Sequence, residues 1–170
     1  MNHKICLHKE IYLPNLKIIQ SNLSDKKKRR QSLISNLKST ESYSLSHTET
    51  KSIIAIYEEN YQLGADIELK RELSNRSRRY FLSTRELSKY KDINIIKLWT
   101  IKEAIFKAYK DNNMLGLLDF EIVSLEANKG KAINRNTQQQ ISFLFTEDNQ
   151  YCLAIAFTKS IDNERRNMYA

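Results

Sequence analysis

The stretch from Ile95 to Lys110 is the longest helical pattern in the chain, and short apolar runs typical of strands lie on both sides of it. Its apolar residues recur at three- and four-residue spacing, which places them on one face of a helix. The strand-like runs are Tyr43–Leu45, Ser52–Tyr57, Tyr61–Glu68, Phe120–Leu125, Gln140–Phe145 and Tyr151–Phe157. Because helices and strands mix without strict β-α-β alternation, the sequence predicts an α+β fold.

Three further helices are predicted from caps and spacing. The first covers Ser24 to Leu37, where a Ser or Asp cap precedes basic residues and then apolar ones. The other two cover residues 71–80 and 84–90. Residues 146–150 form a turn-rich pentapeptide between the last two strand-like runs, so we expect a hairpin there. The polar tail from Asp162 to Ala170 is expected to fray.

Composition limits the classes of protein that the chain can belong to. Its 170 residues are 41% hydrophobic and 28% charged, as expected of a soluble globular protein of one domain or two small lobes. No apolar run approaches the roughly 20 residues that span a membrane, and the first 20 residues contain no continuous apolar segment of a signal peptide. Cys6 and Cys152 have no metal-ligand or redox spacing. We therefore expect free thiols in a reducing cytoplasm rather than a disulfide.

The formal net charge of +8 indicates an acidic partner. Nucleic acid, an anionic membrane surface, a polyphosphate ligand and an acidic protein all satisfy the charge, which does not choose among them. The run from Lys26 to Arg30 has three interpretations. It is the solvated start of a helix, a contact for a phosphate group or an acidic protein, or a contact for nucleic acid.

Asp66 and Glu68 place two carboxylates at positions i and i+2 of a predicted strand. Side chains at that spacing project from the same face, where like charges repel unless a cation compensates them. Mg²⁺ prefers such oxygen ligands and leaves positions for water and substrate phosphates. Gly64, two residues earlier, lets a ligand or another backbone approach closely. The alternative is an acidic pair on a solvated strand face.

Trp99, Glu103 and Lys107 fall at i, i+4 and i+8 of the long predicted helix and therefore share one stripe. Ile101, Ala104, Ile105 and Ala108 form an apolar face that can bury the helix. The alternative is an ordinary Glu103–Lys107 pair on a solvated surface.

Together the two segments resemble the signature pair of the 4′-phosphopantetheinyl transferase superfamily. The pattern is Gly-x-Asp-x-Glu at residues 64–68, followed by Trp-Thr-x-Lys-Glu-Ala-x-x-Lys-Ala at residues 99–108. Ser46-His47-Thr48 resembles the Ser-His-Ser element of the two-lobed (Sfp-type) members. Residues 78–86 resemble the Arg-Phe-Phe-Ser-x-x-Glu stretch that lies between the two signatures.

The resemblance implies an α+β fold of two related lobes with the active site in the cleft between them. The first lobe, residues 1–60, would be shorter than is usual in the family, and residues 61–170 would form the second. The implied activity moves 4′-phosphopantetheine from coenzyme A to a serine of an apo acyl or peptidyl carrier protein. A chain with both lobes is expected to act as a monomer.

The resemblance also implies residue roles. Asp66, Glu68 and Glu103 would bind Mg²⁺, with Mn²⁺ as an alternative ion. Glu103 would also be the general base for the serine, and Lys107 would contact the phosphate under attack.

His47, with Ser46, would contact the phosphates of coenzyme A. Lys102 would either contact phosphate or hold the helix in place. An arginine cluster would receive the acidic carrier protein; its members are Arg71, Arg76, Arg78 and Arg79.

Two rival functions belong to other classes. A basic nucleic-acid-binding module would explain the charge but not three carboxylates and a lysine in the family's register, so we expect no nucleic-acid partner. A catalytically degenerate homologue would bind a carrier protein without modifying it.

Overall fold

Two antiparallel sheets organise the described part of the chain, which comprises residues 15–35, 37, 41–57, 61–109 and 115–159 of a computed structural model. The three-stranded sheet has the order β1-β3-β2, and its strands are β1 (Lys17–Ser21), β2 (Ser42–His47) and β3 (Ser52–Tyr57). The five-stranded sheet has the order β4-β8-β7-β6-β5. Its strands are β4 (Tyr61–Leu69), β5 (Phe120–Leu125), β6 (Lys129–Asn134), β7 (Gln140–Glu147) and β8 (Tyr151–Lys159).

The helices are α1 (Lys26–Ile34), α2 (Thr84–Lys89) and α3 (Ile95–Ala108), with short 3₁₀ segments at Asn75–Tyr80 and Leu117–Asp119. Helices combined with antiparallel sheets confirm the predicted α+β class. The hairpin prediction is also confirmed, because β7 and β8 pair in antiparallel register up to Glu147 and Cys152.

The apolar face of α3 is buried against the five-stranded sheet, as its periodicity predicts. Ile101, Ala104, Ile105 and Ala108 are fully buried and belong to one core cluster with residues of β5 to β8. Burying a large apolar side chain such as isoleucine stabilises the folded state by about 1.5–3 kcal/mol. This packing fixes which stripe of α3 turns towards β4.

Gly64 allows β4 and α3 to approach at backbone distance. A Cβ atom added at Gly64 would lie 2.0 Å from the Ala104 carbonyl oxygen and 2.3 Å from the Ala108 nitrogen. The sequence predicted that a ligand or another backbone approaches Gly64 closely, and in the structure that neighbour is the backbone of α3.

The edge of β4 is covered by serine side chains of β2. The Ala65 N–H donates to Ser44 Oγ at 2.8 Å, and the Ile67 N–H donates to Ser46 Oγ at 3.2 Å. In the described part of the chain, the two sheets thus share no strand ladder and meet through these hydrogen bonds and through an apolar cluster of β3, β4 and β8 residues.

Several predicted elements differ from the structure. Strands β1 and β6 were not expected, because β1 is short and β6 interrupts its alternation with Lys129, Gly130 and Lys131. The predicted helix at 71–80 is a 3₁₀ segment over Asn75–Tyr80, since its arginines leave no apolar stripe to bury. Helix α1 is shorter at both ends than Ser24–Leu37.

The three-stranded sheet precedes residue 58 and the five-stranded sheet follows residue 60. The lobe boundary at 60/61 remains a prediction. Within the described residues, no helix is long and apolar enough to cross a bilayer. Cys152 is a buried free thiol, and burial raises its pKa to about 12. Cys6 and the tail from Asp162 lie outside the described residues.

Candidate active site at the β4–α3 contact

The predicted stripe of α3 faces the two acidic side chains of β4. Lys107 Nζ donates to Asp66 Oδ1 at 2.6 Å, and Trp99 Nε1 donates to Glu68 Oε1 at 2.9 Å. Glu103 lies midway between Trp99 and Lys107 along the same stripe. The five residues singled out from the sequence therefore lie at one contact between β4 and α3; they are Asp66, Glu68, Trp99, Glu103 and Lys107.

Asp66 is the most buried of these carboxylates, with 3% of its surface exposed. Its Oδ1 accepts from both Lys107 Nζ and Ser46 Oγ, the latter at 2.8 Å. Its Oδ2 is buried and has no hydrogen-bond partner among the described residues. Burial raises the pKa of Asp66, while Lys107 and Ser46 act in the opposite direction. An unpaired buried carboxylate oxygen is a position that a cation can satisfy.

Glu68 is held at both oxygens. Arg71 donates to Oε2 at 3.0 Å, opposite the Trp99 contact at Oε1. The Trp99 ring packs edge-on against Phe81, with ring centroids 5.2 Å apart. Phe81 is buried, so it fixes the orientation from which the indole N–H reaches Glu68.

Glu103 is half-buried near both other carboxylates. Burial raises its pKa, and the neighbouring charge of Asp66 raises it further. A carboxyl group with a raised pKa is a stronger base than an exposed one, and it also favours a nearby cation.

The donor set fits Mg²⁺ only when other ligands contribute. Within the described ranges, no three acidic, histidine or cysteine side chains form a preassembled metal-ligand cluster. The ligand set of Asp66, Glu68 and Glu103 therefore stays a prediction. Mg²⁺ commonly takes one or two carboxylates and completes its shell with water and substrate phosphates. The unpaired Asp66 Oδ2 is a ligand position that no described residue occupies.

Ser46 and His47 project from opposite faces of β2, as successive strand residues do. The Ser46 hydroxyl is buried on Asp66, whereas the His47 side chain is exposed. In this structure the Ser46 hydroxyl supports Asp66, and phosphate contact by Ser46 and His47 stays a prediction.

His47 lines a cavity of about 440 Å³ between α1 and the three-stranded sheet. Its lining residues are Lys26, Lys27, Arg30, Leu45, His47 and Ser52. Burial lowers the pKa of His47, and Lys26 and Lys107 lower it further. Lys26, Lys27 and Arg30 of the basic run line this cavity, the cationic pocket, whereas Lys28 is exposed outside it. This arrangement favours the interpretation of the run as a contact for a phosphate group or an acidic protein.

Lys102 does not face this site. It is fully buried, and its Nζ donates to both oxygens of Glu86 and to the Phe120 carbonyl. Glu86 also accepts from the Ile122 N–H at 2.8 Å. Burial lowers the pKa of Lys102 even beside this partner. Of the two roles left open by the sequence, this geometry supports the structural one, because these bonds hold α3 to α2 and β5.

Sequence reasoning missed the residues that support the site. Arg71 was placed in a docking cluster, and Trp99 was noticed in the stripe without a role. A local signal existed for Glu86, because Ser83-x-x-Glu86 is a capping-box pattern and the structure forms that box. Nothing in the sequence indicated that Ser44 would bind the edge of β4.

Comparison with known proteins agrees with this geometry. The comparison with curated proteins gives no match. The family model described as the 4′-phosphopantetheinyl transferase superfamily matches residues 62–156, which is more than half of the chain. That range contains α3 and all of β4 except its first residue, Tyr61. The chain therefore belongs to the 4′-phosphopantetheinyl transferase superfamily.

Proposed function

We propose that this protein transfers the 4′-phosphopantetheine group of coenzyme A to a serine hydroxyl of an apo acyl or peptidyl carrier protein, with Mg²⁺ or Mn²⁺, and releases 3′,5′-ADP. The observation that carries the proposal is the contact of β4 and α3. It brings Asp66, with an unpaired buried oxygen, next to Lys107, and it places Glu103 between that pair and Glu68.

The transfer reaction requires a general base and a positively charged side chain from the protein. The serine oxygen attacks the phosphorus of the phosphopantetheine phosphate, and the bond from that phosphorus to the oxygen bridging to 3′,5′-ADP breaks. Glu103 accepts the serine proton, a role that its raised pKa favours. Lys107 Nζ offsets the charge that develops on the phosphate oxygens. A divalent cation bound at Asp66, with Glu68 and Glu103 as further candidate ligands, would supply charge neutralisation of the pyrophosphate.

Lys107 has two partners in this proposal. In the free protein its ammonium group neutralises Asp66 at 2.6 Å. A cation at Asp66 would release Lys107 towards the substrate phosphate, and its side chain is about one-third exposed, which leaves it room to move.

The cationic pocket beside His47 is proposed to take the 3′-phosphate of coenzyme A. Lys26, Lys27 and Arg30 line it with positive charge, and the fact that both Lys26 and Lys107 lower the pKa of His47 supports a position near the β4–α3 site. The cationic pocket and the β4–α3 site are adjacent within one chain, since Ser46 of β2 donates a hydrogen bond to Asp66 of β4. A monomer can therefore supply the whole site.

The carrier protein is proposed to dock on the arginines that internal contacts leave available. Arg71 is bonded to Glu68, and Arg78 donates to the carbonyl oxygens of Tyr90 and Ile93. Arg76 and Arg79 are exposed, and Arg79 lines a groove of about 560 Å³ with Leu82, Leu87, Leu118 and Arg135. Charge there would mainly speed the encounter with an acidic partner.

Intact-mass measurement of apo-carrier proteins incubated with the protein, coenzyme A and Mg²⁺ tests the proposal. We expect one phosphopantetheine group to be added, and EDTA or Glu103→Gln to abolish the addition. Glu126→Gln is the matched control, because Glu126 is an exposed carboxylate paired only with Lys129 among the contacts of the described residues. A wild-type protein that binds carrier proteins but modifies none of a panel would show a degenerate homologue instead.

A further inference from the structure

Arg29 is a buried cation whose hydrogen bonds all go to neutral oxygens. Only 2% of its surface is exposed, although it lies in the middle of the basic run. Its Nε donates to Ser52 Oγ at 3.1 Å, and Nη1 donates to the carbonyl oxygens of Leu23 and Ser24 at 2.6 and 3.2 Å. Its Nη2 donates to the carbonyl oxygens of Thr48 and Glu49 at 3.3 and 2.8 Å.

These contacts use every N–H group of the guanidinium and connect three parts of the fold. They join the loop that leads into α1, the turn between β2 and β3, and the first residue of β3. The cationic pocket is lined by the same elements: Lys26, Lys27 and Arg30 from α1, and His47 and Ser52 from the strands. Arg29 thus connects α1, which carries one wall of the pocket, to the turn and strand beside the other wall.

Among the described residues, no carboxylate accepts a hydrogen bond from Arg29. A buried cation without a counterion is costly unless a ligand or solvent compensates it. Its positive potential reaches the pocket, where Arg29 is one of the cations that lower the pKa of His47. A phosphate group in the pocket would supply the missing negative charge.

We propose that Arg29 is a positioning residue that shapes the cationic pocket for a terminal phosphate and so sets the preference for ligands that carry one there. The proposal rests on the proposed function for the identity of the ligand, a nucleotide bearing a 3′-phosphate. Arg29 does not touch that phosphate, since it stands behind Ser52 and the carbonyl groups of the turn.

The test uses isothermal titration with two probes, 3′,5′-ADP and 5′-AMP, which differ by the 3′-phosphate. Arg29→Lys keeps the charge but cannot form the planar set of bonds. Ser52→Ala removes one acceptor of Arg29, but Ser52 also lines the pocket, so Arg29→Lys is the deciding variant. Lys28→Met is the control, because Lys28 is an exposed cation on the same helix and does not line the pocket.

We expect Arg29→Lys to weaken 3′,5′-ADP on the order of tenfold, the effect of one hydrogen bond to a charged group, and to change 5′-AMP by less than about twofold. Ser52→Ala should act in the same direction, and Lys28→Met should preserve the wild-type ratio. A purely structural arginine would weaken both probes equally. In the transfer assay, Arg29→Lys should raise KM for coenzyme A and leave kcat nearly unchanged.

An unchanged ratio of the two affinities in folded Arg29→Lys and Ser52→Ala would overturn the positioning role, even if transfer is observed. If the wild-type protein binds 3′,5′-ADP with the expected sensitivity to Arg29 but modifies no carrier, the transfer proposal fails and the positioning role stands. Absence of 3′,5′-ADP binding by the wild type would overturn both.

Discussion

Replacing Gly64 by alanine tests whether the close approach of β4 and α3 sets the geometry of the site. The added Cβ would lie 2.0 Å from the Ala104 oxygen, while ordinary contacts lie at 3.4–4 Å, so α3 must retreat by about 1.4 Å. All three nearest atoms belong to the helix backbone, which cannot rotate away as a side chain can. Overpacking of this kind costs about 1–3 kcal/mol.

The same retreat would carry Glu103 and Lys107 away from Asp66. A misplacement of about 1 Å can lower a rate on the order of 100-fold. We therefore expect Gly64→Ala to lower the unfolding temperature by roughly 2–4 °C per kcal/mol and to lower transfer to a carrier protein by about two orders of magnitude. Thermal unfolding followed by circular dichroism and an intact-mass time course measure the two effects.

Gly116→Ala is the matched control, because its added Cβ would meet only Asp119 Oδ2, at 3.9 Å, and its φ of −118° suits any residue. It should change stability by less than about 0.5 kcal/mol. The reasoning is refuted if Gly64→Ala unfolds at the wild-type temperature and transfers at the wild-type rate.

Three other predictions concern single side chains. Trp99→Phe keeps an aromatic ring but removes the hydrogen bond to Glu68. The affinity for Mn²⁺, measured by electron paramagnetic resonance with coenzyme A present, should then fall by about fivefold, or about 1 kcal/mol. Unchanged affinity would show that the hydrogen bond does not orient Glu68. Lys102→Met leaves Glu86 buried without its cation and should destabilise the fold by about 3–5 kcal/mol in urea unfolding, a loss that Lys102→Met/Glu86→Leu should partly reverse. His47 has a lowered pKa in the free protein, so protonation is unfavourable near pH 7 but is favoured by a bound phosphate. The affinity for 3′,5′-ADP should therefore rise as the pH falls from neutral towards the lowered pKa of His47, and a His47→Gln protein with the same pH slope would contradict this role.

The sequence predicted the site best where periodicity determines direction. The i, i+2 spacing of Asp66 and Glu68 and the i+4 stripe of α3 are geometric consequences of strand and helix, and the structure confirms that Trp99 and Lys107 turn towards β4. Gly64 was also informative, because a glycine in an apolar strand signals close approach.

The sequence failed where tertiary contacts decide. Lys102 is adjacent to Glu103 in sequence, but one helical step of about 100° sends it into the core to meet Glu86. Ser46 and His47 are neighbours that strand alternation separates. Arg29 looked like its basic neighbours in the run, and only the folded turn at Thr48 shows that it is internal.

The serines that cover β4 have a consequence for solubility. A bare strand edge offers its amide groups as a template on which another polypeptide can add, which is a common route to aggregation. In this chain the hydroxyl groups of Ser44 and Ser46 accept from two of those amides, so losing both serines would leave the strand that bears Asp66 and Glu68 open to pairing with another molecule.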